Sequence, residues 1–162
     1  MTAIFPGTFD PITNGHMDII RRFLRLWPGD KLIIAIAEGE NAGKKPIFTL
    51  EERFAQIRAL TRGICNIEPL SFSGLVVEFA RKTGAKFIIR GLRNSADFAY
   101  EMEMSLFNRQ LAPEIETIFI PAALEHIIVS SSAVRVITGL GGSADWMLPE
   151  QIQTELRNKL VD

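Results

Sequence analysis

The sequence of 162 residues predicts one α/β domain, in which helices cover both faces of a five-stranded parallel sheet and further helices follow at the C-terminus. Short apolar runs alternate with longer stretches of helical spacing, as in successive βαβ units. Three of the short runs contain continuously apolar stretches: LIIAIA at residues 32–37, FII at 87–89 and IFI at 118–120. Strands that are buried on both faces of a parallel sheet have this composition.

Five strands are predicted, at residues 2–5, 31–37, 66–70, 86–90 and 116–120. The third has the weakest pattern, because Pro69 is expected only near the end of a strand. The order βαβαβαβαβ requires crossover connections, which are right-handed in nearly all parallel sheets. This order predicts a Rossmann-like doubly wound fold, and since no domain boundary is indicated, residues 1–162 are expected to form a single domain.

Six helices are predicted between and after the strands. The first presents one apolar face, made up of Met17, Ile20, Phe23, Leu24 and Trp27. A capping box of Thr49 and Glu52 opens the second, and the third has Ser73 as a cap and Gly84 as a stop. The others are expected at residues 95–111, 132–138 and 149–160, with Pro149 in a first turn. The glycine- and lysine-containing segment 38–47 is predicted to be the most mobile.

Composition excludes several classes of protein. The net charge of −1 argues against a general nucleic-acid surface, so an anion site must be a local cluster. No apolar run approaches the roughly 20 residues that cross a bilayer, and the N-terminus lacks the pattern of a signal peptide. Cys65 is the only cysteine, which rules out an internal disulfide and suits a reducing cytoplasm.

The first unusual strand end is FPGTFDPITNGH, residues 5–16. Gly7 and Gly15 allow close backbone approach or a positive φ, and Thr8 offers a hydroxyl group. His16 begins a helix, where free N–H groups favour an anion. The alternative is a tight turn with a solvent-facing histidine. The segment matches neither GxxxxGK[ST] nor GxGxxG, so neither a P-loop nor a dinucleotide site is indicated.

Two other strand ends carry groups that suit phosphate. Arg90 and Arg93 in RGLR follow the fourth strand, and guanidinium groups match phosphate oxygens. The motif VSSSAVR at residues 129–135 places three serines before a short helix. Solvated or internally paired arginines, and serines that only cap the helix, are the alternatives. Lys44 and Lys45 are a weaker signal, because paired lysines are usually solvated.

These groups are expected to meet at one edge of the sheet, because the carboxyl ends of parallel strands lie together. The chain shows no Ser-His-Asp arrangement, no cysteine set for a metal and no catalytic cysteine signature. The inventory favours phosphoryl or nucleotidyl transfer, which depends on positioning and charge neutralisation more than on a protein nucleophile.

The motifs resemble those of a known superfamily. TNGH at residues 13–16 is similar to the [HT]xGH motif of the nucleotidyltransferase α/β phosphodiesterases, and VSSSAVR to their ISSTxxR motif. Over essentially the whole chain, FPGTFDPITNGH, KKPIFTLEER, IIRGLRNSADFAYEMEMSLFNRQL and VSSSAVR resemble the bacterial phosphopantetheine adenylyltransferase family. The resemblance implies transfer of the adenylyl group of ATP to 4′-phosphopantetheine, with Mg²⁺, giving dephospho-CoA and pyrophosphate in coenzyme A biosynthesis.

The resemblance also implies roles for individual residues. His16 would stabilise the pentacovalent α-phosphate, and Thr8 would orient the attacking phosphate between the two substrates. Lys44 and Arg90 would hold phosphopantetheine, with Val76 near its pantetheine arm. No residue is implied as a metal ligand. The ATP site would contain Thr8, His16, Phe9, Gly91, Leu92, Arg93, Glu101, His126, Ile127, Ile128, Val129, Ser130, Ser131 and Ser132.

The chain departs from the family pattern at three places. Phe5 stands where relatives often carry Tyr, His126 where some carry Trp, and the loop EGENAGKKP is longer than in some relatives, which leaves Lys44 and Lys45 as alternatives. The family resemblance further implies a cytoplasmic homohexamer and coenzyme A as a feedback ligand. The competing hypotheses are a nucleotidyltransferase with another acceptor and a nucleotide sensor without turnover.

Overall fold

The computed structural model describes residues 1–38 and 46–161. Most of the segment predicted to be mobile, including Lys44 and Lys45, lies outside the described residues. Within the described part of the chain, no helix is both long enough and apolar enough to cross a membrane.

Five strands form one parallel sheet, which confirms the predicted fold class. Four of them extend one or two residues beyond their predicted C-terminal ends. The strands are β1 (Thr2–Gly7), β2 (Lys31–Ala37), β3 (Ile67–Phe72), β4 (Phe87–Leu92) and β5 (Glu116–Pro121).

The spatial order of the strands is β3-β2-β1-β4-β5, with β1 in the centre. From β1 the chain moves through β2 to β3 on one side, and it returns to place β4 and β5 on the other. The winding direction therefore reverses between β1 and β4. In an open α/β sheet a crevice forms at this point, beyond the carboxyl ends of the strands.

In the described part of the chain, six α-helices accompany the sheet: α1 (Asn14–Leu26), α2 (Leu50–Leu60), α3 (Val76–Thr83), α4 (Ser95–Leu111), α5 (Ser131–Gly139) and α6 (Glu150–Val161). The predicted bounds of α4 are confirmed. The capping box of α2 is also confirmed, because the Glu52 amide donates to Thr49 Oγ1 at 3.2 Å and the Thr49 amide to Glu52 Oε2 at 2.8 Å. Gly84 ends α3 in the left-handed conformation, with φ of 69°.

Two local predictions were wrong. Pro69 is the third of six residues in β3 and not near its end. It is tolerated there because β3 is an edge strand, which needs backbone hydrogen bonds on one side only. Ser73 does not cap α3, whose N-cap is Leu75 without a side-chain hydrogen bond.

The sheet is buried on both faces, which explains its continuously apolar strands. Ala3, Leu32 and Ile34 face one apolar cluster together with α1, α2, α5 and α6. The alternate residues Ile4 and Ile33 face a second cluster with α3. Successive strand side chains point to opposite faces, so burial of both faces requires every position to be apolar.

Helix α4 is the exception, because none of its residues is buried. Phe98 packs edge-to-face on Phe119 of β5, with ring centroids 6.2 Å apart. Five large apolar or aromatic side chains of this helix are about half exposed: Phe98, Tyr100, Leu106, Phe107 and Leu111.

Truncation of the core should cost far more than truncation of the surface. Ile34 of β2 is fully buried (0% exposed), whereas Leu140 after α5 is 83% exposed. We expect Ile34→Ala to lower the free energy of unfolding by about 2–5 kcal/mol, because it leaves a cavity. Leu140→Ala is the matched control and should change it by less than about 0.5 kcal/mol. Urea titration followed by circular dichroism measures both, and equal effects would contradict the core assignment.

Candidate active site

A cavity of about 680 Å³ lies at the carboxyl ends of β1 and β4, where the winding reverses. It gathers residues from all three unusual strand ends, as their shared sheet edge predicts. The predicted site residues that line it are Thr8, Phe9, His16, Val76, Arg90, Gly91, Arg93, Glu101, His126, Val129, Ser130, Ser131 and Ser132.

Of the predicted residues that the structure describes, three are not among those that line the cavity: Leu92, Ile127 and Ile128. Leu92 ends β4, and its carbonyl accepts the Ala122 amide at 2.7 Å. Ile127 and Ile128 lie in the connection to α5, where Ile128 is 68% exposed. Lys44 lies outside the described residues.

The tight turn after β1 uses a different residue from the one predicted. The backbone of Phe9 has a φ of 50°, in the left-handed region, whereas Gly7 and Gly15 do not. The Phe9 ring instead covers Gly7, where an added Cβ would lie 3.0 Å from the ring. A Cβ on Gly15 would have only ordinary contacts, at 3.7 Å, with Thr13 and Val129. Gly15 therefore keeps the start of α1 open to the cavity and is not required for a strained turn.

The imidazole of His16 is held in one orientation and one tautomer. His16 is the third residue of α1, and its Nδ1 accepts the Thr13 backbone N–H at 3.0 Å in a capping box. Because Nδ1 accepts a hydrogen bond, the proton of the neutral ring is on Nε2. Among the described residues, Nε2 has no hydrogen-bond partner, and His16 lines the cavity. The ring thus offers an N–H donor to a ligand.

The surroundings of His16 keep its ring uncharged. Phe9 packs edge-on against the imidazole with ring centroids 5.0 Å apart, and Phe5 lies 6.1 Å away. Burial, followed by the positive charges of Arg93 and Arg90, lowers the pKa of His16 to about 4. At neutral pH His16 is therefore a neutral hydrogen-bond donor. The prediction of a histidine at a helix start is confirmed, and the alternative of a solvent-facing side chain is not.

Both predicted arginines reach the cavity, and each is paired with a carboxylate. Arg90 forms a bidentate pair with Glu101 of α4, in which Nε donates to Oε2 at 2.6 Å. Arg93 forms a second bidentate pair with Asp97, at 2.6 and 3.0 Å. These pairs fix the planes of both guanidinium groups at the end of β4 and leave their outer edges to face the cavity.

The three serines before α5 have structural partners as well as cavity positions. Ser130 caps α5 by accepting the Ala133 amide at 3.0 Å. The Ser131 hydroxyl donates to the Pro11 carbonyl at 2.8 Å, which ties α5 to the turn after β1. Ser132 Oγ accepts from Arg135 at 3.3 Å. The helix start, with its free N–H groups, therefore faces the cavity in a fixed position.

Sequence reasoning missed three buried or half-buried charged residues that support this site. Arg53 of α2 donates to the Thr8 carbonyl at 2.7 Å and the Ala37 carbonyl at 2.9 Å. Asp10 is 3% exposed and pairs with Arg135 of α5 at 3.2 Å. Asp10 and Arg135 both lie inside the quoted motifs, but no local pattern indicates that they meet.

A second set of missed residues extends the cavity along α4. Gly74 follows β3, Met104 and Asn108 lie on successive turns of α4, and Thr117 belongs to β5. The only sequence pattern that could have indicated them is the spacing of four residues between Met104 and Asn108, and residues on any helix face share this spacing. The cavity therefore joins charged groups at the strand ends to residues of mixed polarity along α4, which we call the α4 arm.

The carboxylates of the site do not form a protein metal centre. Within the described residues there is no group of three His, Cys, Asp or Glu side chains placed to hold an ion. Asp97 and Glu101 line the cavity, but arginines already bind both of them. A divalent ion in this cavity would depend on ligands from substrate phosphates and water, as Mg²⁺ commonly does.

Comparison with known proteins agrees with this geometry. A family model described as cytidylyltransferase-like matches residues 4–137, which places the chain in that class. A solved bifunctional NMN adenylyltransferase/ADP ribose pyrophosphatase from Francisella tularensis has the same fold, with a TM-score of 0.74 at 16% identity. The match covers 99% of this chain and 50% of that one.

Closer relatives identify the branch of the family. Phosphopantetheine adenylyltransferases from Gloeobacter violaceus and Moorella thermoacetica are 45% and 44% identical, over 99% and 95% of this chain and 98% and 94% of theirs. That of a Synechococcus strain, JA-2-3B'a(2-13), is 46% identical over 98% of both chains. The chain therefore belongs to the phosphopantetheine adenylyltransferase family.

The tautomer and charge of His16 can be measured directly. We expect ¹⁵N-detected NMR to show a neutral ring protonated on Nε2 from pH 8 to about pH 5.5, since its pKa is about 4.

The free energy of unfolding should also depend on the protonation of His16. As the pH falls from about 6.5 to 4, the unfolded state binds a proton that the folded state does not, so the native protein loses stability relative to His16→Gln, by on the order of 2 kcal/mol. A protonation midpoint near 6.5 would contradict the burial of this ring.

Proposed function

We propose that this protein transfers the adenylyl group of ATP to 4′-phosphopantetheine, which gives dephospho-CoA and pyrophosphate in coenzyme A biosynthesis. One observation carries the proposal: a single cavity is lined by a neutral His16 donor, two fixed guanidinium groups, the start of α5 and the residues of the α4 arm. The charged groups suit a triphosphate beside an acceptor phosphate, and the α4 arm suits an extended acceptor. Relatives at 44–46% identity carry the name of this activity.

The chemistry requires no protein nucleophile and no strong base. An oxygen of the acceptor phosphate, already anionic, attacks the α-phosphorus of ATP. A new O–P bond forms as the bond between the α-phosphorus and the bridging oxygen breaks, and pyrophosphate leaves with the bonding electrons. The protein contributes alignment of the two phosphates and stabilisation of the charge on the pentacovalent α-phosphate.

His16 is the group that we assign to the transition state. Its Nε2–H donates to a non-bridging oxygen of the α-phosphate, where negative charge increases as the attacking bond forms. Because Thr13 holds Nδ1, the ring needs no reorientation during the reaction. Thr8 lies at the same turn, and its hydroxyl orients the attacking phosphate between the two substrates.

We assign the acceptor to the side of the cavity reached from β2 and β3. Arg90 and Lys44 bind its phosphate, and Val76 at the start of α3 contacts the pantetheine arm. Met104 and Asn108 continue this arm along α4 and supply an apolar surface and an amide that match the alternating methylene and amide groups of pantetheine.

We assign ATP to the side formed by β4 and α5. The start of α5, with Ser130, Ser131 and Ser132, binds the triphosphate through backbone N–H groups. Arg93 and Gly91 lie beside the α-phosphate, and Phe9 and Glu101 complete the wall. His126 and the following segment 127–129 contact the adenine. Mg²⁺ would enter with ATP, held by phosphate oxygens and water, and would neutralise charge on the departing pyrophosphate.

We also propose that the protein forms a homohexamer through α4. This helix buries no residue of its own, and Leu106, Phe107 and Leu111 expose about half of their surface. An apolar patch of this kind on a folded protein usually marks an interface.

Coenzyme A is proposed as a feedback ligand, because it combines an adenine nucleotide with the pantetheine arm and can occupy both sides of the cavity. We place the reaction in the cytoplasm, where an exposed free thiol such as that of Cys65 stays reduced.

The activity is tested by pyrophosphate release from Mg-ATP and phosphopantetheine. His16→Ala should lower kcat by about 10²- to 10³-fold, the usual cost of removing one transition-state donor. The ATP dissociation constant should change less than about threefold, because this contact is made mainly in the transition state. His16→Gln, which keeps an N–H donor, is the matched variant and should lose less. Isothermal titration calorimetry separates binding from turnover.

The other outcomes are equally informative. Release with a different acceptor only would assign another nucleotidyltransferase activity to the cavity. ATP binding without release from any acceptor would identify a nucleotide sensor. Equal and small effects of His16→Ala on kcat and on ATP binding would reject the role of His16.

The assembly is tested by light scattering coupled to size exclusion. The parent chain should elute at six times the chain mass, and Leu106→Glu, which puts a charge on the exposed face of α4, should lower the mass. Leu140→Glu is the control, because Leu140 is 83% exposed and lies after α5. A monomeric parent, or loss of assembly in the control alone, would reject α4 as the interface.

A further inference from the structure

Asp10 is a buried carboxylate in the turn beside the cavity. It is 3% exposed and is not among the residues that line the cavity. Its two oxygens receive three donors. The Ile47 amide donates to Oδ2 at 3.1 Å, the Phe48 amide to Oδ1 at 2.9 Å, and Arg135 Nη1 to Oδ2 at 3.2 Å.

These donors come from opposite sides of the site. Ile47 and Phe48 lie at the end of the chain segment that leaves β2 and carries Lys44. Arg135 belongs to α5 and itself lines the cavity, together with the start of that helix, on the side assigned to the nucleotide. Asp10 itself sits in the turn between Thr8 and His16. One carboxylate therefore connects three of the segments that contribute site residues.

The beginning of the same Lys44 segment is held to the same turn. Ala37 is the last residue of β2. Arg53 Nη1 donates to the Ala37 carbonyl at 2.9 Å and to the Thr8 carbonyl at 2.7 Å. Asp10 then holds Ile47 and Phe48 after the segment. Arg53 thus bridges Ala37, before the segment, to the Thr8 carbonyl, whereas Ile47 and Phe48, after the segment, are hydrogen-bonded directly to Asp10.

We propose that Asp10 is a positioning residue. It sets Ile47 and Phe48, which follow the Lys44 segment on the acceptor side, and helix α5, on the nucleotide side, at a fixed separation. The kinetic consequences of this inference rest on the proposed adenylyl transfer, whereas the contacts of Asp10 do not depend on that function. A buried carboxylate is costly unless its oxygens are hydrogen-bonded, and loss of its charge leaves Arg135 and one amide without an acceptor. In-line transfer between two bound phosphates depends on their separation, so a shift of either side lowers the rate.

The experiment compares three single variants and one double variant. Asp10→Asn keeps the side-chain shape and removes the charge and one acceptor. Arg135→Lys keeps the positive charge but changes the donor geometry and leaves the Ile47 and Phe48 amides untouched. Glu114→Gln is the control, because Glu114 also pairs with an arginine, Arg81, at 2.6 Å, but on the surface and outside the cavity.

The two sides of the site should respond differently. In Asp10→Asn, KM for phosphopantetheine should rise about tenfold and kcat should fall, since a charge-assisted hydrogen bond is worth roughly that factor. In Arg135→Lys, KM for ATP should rise while KM for phosphopantetheine changes less than about twofold. The double variant should raise KM for ATP no further than the stronger single variant, because both act through one contact. Glu114→Gln should match the parent.

Hydrogen exchange supplies a readout that needs no substrate. Exchange of the Ile47 and Phe48 amides should accelerate about tenfold or more in Asp10→Asn and stay unchanged in Arg135→Lys. If the parent protein does not turn over phosphopantetheine, the proposed function fails while this measurement still decides the contacts of Asp10.

Three results would overturn the proposal. They are an unchanged KM for phosphopantetheine in folded Asp10→Asn, additive effects in the double variant, and unchanged amide exchange at Ile47 and Phe48. If Asp10→Asn does not fold, Asp10→Ser, which is smaller and retains an acceptor, is judged by the same criteria. Failure of both to fold would assign Asp10 to the stability of the domain and reject the positioning role.

Discussion

The end of β1 and the turn that follows it are held in place by guanidinium groups that donate to their backbone carbonyls. Arg90 donates to the Pro6 carbonyl at 2.8 Å, Arg53 to that of Thr8 at 2.7 Å, and Arg135 to that of Asp10 at 3.2 Å. The three arginines come from β4, α2 and α5. Carbonyl groups in an irregular buried turn have no sheet or helix partner and need donors from elsewhere. Here those donors also draw three separate elements onto the turn that carries Thr8.

This arrangement explains how a chain with a net charge of −1 contains an anion site. The charge of each arginine is balanced by a carboxylate: Arg90 by Glu101, Arg93 by Asp97 and Arg135 by Asp10. The guanidinium groups are therefore held in fixed positions without adding to the net charge. His16 adds a donor without adding charge, because burial and the arginines lower its pKa to about 4. A neutral ring with one defined N–H suits stabilisation of an oxygen whose charge increases only during the reaction.

Most of the architecture was predictable because it follows from burial. Strands covered on both faces must be apolar at every position, and this pattern is clear in β2, β4 and β5 but weak in the edge strand β3. The errors occurred where an alternative local solution exists. Pro69 is accepted because β3 has one neighbouring strand, and a left-handed Phe9 replaces a glycine in the turn because its ring packs over Gly7. Neither the edge position of β3 nor the packing of the Phe9 ring over Gly7 can be recognised from the neighbouring residues in the sequence.

The sequence by itself determined the order of strands and helices, the three strand ends that line the cavity and, through motifs spread over the whole chain, the family. Each of these patterns is local, since it depends on residues within a few positions of one another. Only the tertiary structure decided which residues support the site. Asp10 meets Arg135 across 125 positions, and Arg53 reaches Thr8 across 45. Contacts of this separation depend on the strand order and on the reversal between β1 and β4, because only that arrangement brings α2, α5 and the first turn together.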